Sequence, residues 1–69
     1  MAINIQHTYS THVTMTFYSK ENFSLRCDDV GTMDELAERM CEILVKHDFV
    51  YADASDRNTG EVVLIVERT

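Results

Sequence analysis

The stretch Thr11-His12-Val13-Thr14-Met15-Thr16-Phe17-Tyr18-Ser19 closes an opening segment, Met1 to Ser19, that carries no formal charge. All six Lys and Arg and all twelve Asp and Glu of the chain fall after it. Ile3, Ile5, Val13, Met15 and Phe17 share one parity, and Asn4, Gln6, Thr8, Ser10, Thr14 and Thr16 the other. That is the period-two pattern of a strand with one face buried. Natural sheet edges carry Lys, Pro or inward-pointing charge against pairing with another chain, and this strand has none of them. It therefore lies inside the sheet or marks the place where another polypeptide joins. The second alternative makes Tyr9, Thr11, His12, Thr14, Thr16 and Tyr18 a candidate self-association strip.

Downstream, the polar cluster Ser19-Lys20-Glu21-Asn22 has the length and chemistry of a hairpin turn. A second strand follows with Phe23, Leu25 and Cys27 on one face and Ser24, Arg26 and Asp28 on the other. Thr32-Met33-Asp34-Glu35 then reads as a capping box: the Thr32 hydroxyl can accept from the third helical N–H while Glu35 reaches back. Met33, Leu36, Ala37, Met40, Cys41, Ile43 and Leu44 continue as an apolar stripe at helical spacing. Glu35 with Arg39, and Glu42 with Lys46, stand four residues apart in the favoured orientation. The helix should end near His47 or Asp48.

A short strand from Phe49 to Ala54 leads into Ser55-Asp56-Arg57-Asn58-Thr59-Gly60, rich in turn formers. The last strand, Glu61 to Glu67, is apolar at both parities, which predicts a strand covered on both faces or placed centrally. The order ββαββ gives one α+β domain over residues 1–69: a four-stranded, mainly antiparallel sheet with one helix packed on one face. A central last strand would neighbour the first and run parallel to it, an element order that resembles a minimal β-grasp; a purely antiparallel sheet is the rival. Parity and stripe place Val13, Met15, Phe17, Phe23, Leu25, Leu36, Met40, Leu44, Val62, Leu64 and Val66 in the core.

A chain of 69 residues buries only about 60% of its unfolded surface, so its core is marginal and a disulfide, metal or partner subunit usually assists. The two cysteines and the absence of a basic-then-apolar leader favour a reducing, cytoplasmic setting. The longest apolar run, Val62 to Val66, is far too short to span a bilayer, so no membrane partner is expected. A net charge of −6 and a pI near 4.7 repel phosphate backbones, which argues against direct nucleic-acid binding.

Cys27 and Cys41 are too far apart for a CxxC pair and read as buried free thiols. His7 and His12 fall on opposite parities and cannot chelate one ion from a regular strand, while His47 suits the negative end of the helix. Asp53, Asp56, Asn58 and Glu61 around Gly60 match a calcium loop poorly and a solvated hairpin turn well. No triad spacing is present, so no catalytic residue, metal ligand or cofactor is assigned. So small a chain also has little room for a pocket of roughly 300 Å³ beside its own core, and an enzyme is not expected.

The remaining feature is acidic. Asp28, Asp29, Asp34, Glu35, Glu38 and Glu42 face one base, Arg39, in the same region, and on a helical wheel Asp34, Glu35, Glu38 and Glu42 share one outward sector. The plain account is a solvated helix face with acids favoured at its N-terminus. The functional account is a patch that docks on a basic protein surface and speeds association. The chain then reads as a protein-binding module, a stoichiometric inhibitor or adaptor. Size and composition, without any motif, compare with virus-encoded inhibitors of host nucleic-acid-handling proteins, such as anti-CRISPR and DNA-mimic proteins. The alternative is a self-assembling structural or scaffold subunit, first of all a homodimer, that pairs through its uncharged first strand.

Overall fold

The computed structural model describes residues 9–68; the opening part of the alternation, with Ile3, Ile5 and His7, lies outside them. The elements are β1 (Thr11–Tyr18), β2 (Ser24–Gly31), α1 (Met33–Lys46), β3 (Tyr51–Asp56) and β4 (Val62–Glu67). They form one antiparallel sheet in the order β2-β1-β3-β4 with α1 on one face, the expected α+β ββαββ arrangement.

The β-grasp-like placement of the last strand does not hold. β3 takes the position beside β1, with Met15 opposite Ala54 and Phe17 opposite Ala52, and β4 is an edge. Since β2 and β3 both run antiparallel to β1, they run parallel to each other with β1 between them. α1 is the crossover that such a parallel relation requires. The parallel pair is thus β2 and β3, and the uncharged β1 is hydrogen-bonded along both of its sides.

The helix forms where its local chemistry directs. Thr32 Oγ1 accepts from the Glu35 N–H at 3.2 Å and Glu35 Oε1 accepts from the Thr32 N–H at 2.9 Å, completing the capping box. At the other end Phe49 N–H donates to the Leu44 carbonyl and Asp48 N–H to the Val45 carbonyl, a Schellman arrangement. Asp48 fills its left-handed position at φ 59°, a role glycine usually takes and a short polar side chain tolerates. Arg68 reinforces this end by donating to the Leu44 carbonyl at 2.9 Å and to Asp48 at 3.1 Å.

Leu36, Met40 and Leu44, four residues apart, drive into the sheet against Val13, Met15, Phe17, Phe49, Ala52 and Ala54. The small Ala52 and Ala54 let the helix approach closely. Three residues expected in the core are instead exposed: Phe23 (66%), Leu25 (42%) and Val62 (53%). Phe23 sits in the β1–β2 turn, and Leu25, on the helix-side parity opposite Phe17, lines an open groove with His47 and Phe49. Val62 is displaced by a register shift between Ala54 and Ser55, which sets it opposite Ser55 and so flips its face. Cys41, expected to be buried, is exposed on the helix flank.

Candidate interaction surfaces

Of the predicted acidic cluster, Asp29 lies on the helix side within electrostatic reach of Glu35, and Asp28 lies on the other face. Asp28 and Asp29 are neighbours on a strand and point to opposite faces. Asp28, on the open face, accepts from Thr14 Oγ1 at 3.0 Å and pairs with Arg57 at 3.3 Å. Asp29, on the helix side, receives Arg39 Nε at 2.7 Å and Nη2 at 3.3 Å, and also its neighbour Val30 N–H at 2.7 Å. Arg39 donates besides to the Val30 carbonyl at 2.9 Å. These contacts hold the Asp29 carboxyl below the usual carboxylate range, the Arg39 hydrogen bond first among them, and raise the Arg39 guanidinium. Buried Gly31 keeps the corner clear, since a Cβ there would come within 2.6 Å of Arg39 Nη2.

Arg39 makes its hydrogen bonds to Asp29 and Val30 and still attracts Glu35 and Glu42 from the edge of the outward sector. Asp34, Glu35, Glu38 and Glu42 are all exposed, as their wheel positions predict, and Glu35 is held below its usual range by its backbone bond to Thr32. The outward sector from Asp34 to Glu42 therefore exposes four acids, with Arg39 at its margin.

Of the self-association strip, His12, Thr14, Thr16 and Tyr18 point to the open sheet face, Thr11 lies on the helix-side parity, and Tyr9 precedes the strand. Thr14, Thr16 and Tyr18 cannot recruit a strand through their backbone, because β2 and β3 already pair with both sides of β1 from Val13 to Tyr18. On the open face Tyr18 packs on Tyr51 with ring centroids 5.6 Å apart, and the Tyr51 phenol is pushed up by burial and by Asp53.

The two sheet edges are β2 and β4. Arg68 N–H donates to the Val50 carbonyl, so by antiparallel alternation Leu64 and Val66 bond to β3 while Ile65 and Glu67 direct their N–H and C=O groups to the free side. No side chain among the described residues caps that row. The strand is uncharged from Val62 to Val66 and bracketed by Glu61 and Glu67. Sequence reading missed this edge because its apolar run has the same appearance as that of a central strand.

Other groups gather no chemistry. Burial, with Asp29 and Asp28 nearby, raises the Cys27 thiol. His47 is exposed at the helix C-cap, with its ring 6.3 Å from Phe49. It borders a shallow groove of about 390 Å³ shared with Phe23, Leu25 and Phe49. The Asp56 carboxylate is spent on the hairpin turn, accepting from Asn58 N–H at 2.7 Å, with Gly60 at φ 78°. Among the described residues no group of three or more His, Cys, Asp or Glu could hold a metal ion, and no helix is long and apolar enough to cross a membrane. No family model, curated protein or solved structure matches the chain.

Proposed function

We propose that this chain is a protein-binding module, a stoichiometric inhibitor or adaptor that docks on a basic protein surface. The observation that carries the reading is the exposure of four acids, Asp34, Glu35, Glu38 and Glu42, along one outward sector of the helix, while Arg39 makes its hydrogen bonds to Asp29 and the Val30 carbonyl. Three further aspartates, Asp28, Asp29 and Asp48, are paired with Arg57, Arg39 and Arg68, so the closest contacts of those three arginines go to carboxylates outside the helix. Such a face raises encounter rates with a positively charged partner and loses influence as salt screens it. Nucleic-acid-handling proteins fit as targets, since their working surfaces are basic to neutralise phosphates. The self-assembly alternative would need a part of the uncharged strand other than Val13–Tyr18, whose backbone is paired on both sides.

The test is co-purification of the partner from the native cell, followed by binding kinetics of wild type and the E38K/E42K double variant at low and high salt. The double variant should associate far more slowly at low salt and similarly at high salt. Equal rates under both conditions would leave the acidic face without a role in binding.

A further inference from the structure

We infer that the free edge of β4 is an acceptor for an extended segment of a partner protein, one with alternating apolar residues and Lys or Arg at both ends, added as a fifth strand. The inference rests on the protein-binding reading above and adds to it a second, separate point of contact.

Unpaired strand edges are templates for pairing, and natural sheets defend them with charge, bulges, side-chain caps or covering segments. β2 is defended. Its outward positions include Arg26 and Asp28, its Val30 N–H is taken by the Asp29 carboxylate, and its Val30 carbonyl is taken by Arg39. β4 has only the register shift at its start. Beyond it, Ile65 and Glu67 present N–H and C=O groups to the free side, Ile65 is 58% exposed, and no charge falls between Val62 and Val66. Main-chain bonds to such an edge give affinity to any extended segment, and alternate side chains give specificity.

The acids that bracket the apolar run favour a segment with basic ends. Pairing β4 with a second copy about a two-fold axis at Leu64 sets Glu61 opposite the copy's Glu67 and Glu67 opposite its Glu61, between chains that each carry −6. Like charges directly opposite across a pair of strands destabilise it. A segment ending in lysine or arginine turns both contacts attractive while its apolar middle lies along Val63, Leu64, Ile65 and Val66.

The probe is a fluorescein-labelled synthetic peptide that alternates valine and threonine over the length of β4 and ends in paired lysines, with a glutamate-ended peptide as control. The variant is Ile65→Pro. Its N–H faces the free side, so proline there removes an edge donor without removing a ladder bond to β3. Ile65→Lys, a gatekeeper substitution, repeats the test if the proline variant melts early. The lysine peptide should bind wild type and slow amide exchange at Ile65 and Glu67, should bind the variant about tenfold more weakly, and the glutamate peptide should not bind. Failure of the lysine peptide to bind, equal binding of the two peptides, unchanged binding by both variants, or protection at β2 instead would overturn the inference. So would a wild-type dimer that Ile65→Lys converts to monomer, which would assign the edge to a second copy. These outcomes are read apart from the E38K/E42K association rates, so either proposal can fall while the other stands.

Discussion

At the end of β2's outer row the backbone groups of Val30 are met by the chain's own side chains, Asp29 at its N–H and Arg39 at its carbonyl, whereas along β4 no side chain among the described residues meets the corresponding groups. Both strands are edges of one sheet and both pack against the same helix. They differ in where the charges fall: β2 has Arg26, Asp28 and Asp29 within it, while β4 has its acids only at its ends. An edge that must stay closed is built with charge inside the strand, and an edge with charge only at its ends remains open to a strand of matching ends.

That contrast presupposes a single core beneath both edges, and Leu36→Ala breaks it most severely. Leu36 is fully buried between the helix and the sheet, and its truncation should cost about 2–5 kcal/mol, close to the whole stability of so small a domain. Urea unfolding should show one early transition lost by β2 and β4 together. Separate transitions for the two edges would mean that they do not share the core.

Asp29→Asn attacks the closed edge alone. The pair with Arg39 is partly exposed and screened, so the loss of stability should not exceed about 1 kcal/mol, but amide exchange at Val30 should quicken with Ile65 unchanged. Acid does the same reversibly. The Asp29 carboxyl is lowered in the folded chain, chiefly by the Arg39 hydrogen bond, so its contribution is fully present above its unfolded value near pH 4 and is lost as pH falls through the lower folded value. Exchange measured from about pH 5 downward, corrected for intrinsic rates, should open β2 first and leave the contrast within β4 unchanged.

How much of this was legible beforehand follows from the range of each signal. The helix was readable because Thr32 and Glu35 cap it within a single turn, and β1's face because Val13, Met15 and Phe17 alternate without interruption. The position of β4 was not, since Val62 to Val66 would read alike in a central strand and in an edge strand with Leu64 and Val66 turned half inward. The register shift that exposes Val62 depends on pairing with Ser55, which parity along one strand does not encode. Arg39 was matched with Glu35 one turn away, but Asp29, from the preceding strand, presents two oxygens to it beside the Val30 carbonyl. The outward sector of Asp34, Glu35, Glu38 and Glu42 was readable from the wheel; the hydrogen bonding of Arg39 to Asp29 was not.

Ile65→Lys should have the smallest effect on the fold. Its side chain is on the open face and more than half exposed, so melting should shift by no more than about half a kcal/mol. A larger loss would mean that β4 is covered on that side.

Amide exchange resolved residue by residue along β4 in dilute protein tests the central claim most directly. Leu64 and Val66, bonded to β3, should be protected, while Ile65 and Glu67 between them should exchange close to the rate of an unstructured peptide, giving a strict alternation. Equal protection at all four positions in a monomer would contradict the account, because the edge on which it rests would already be closed.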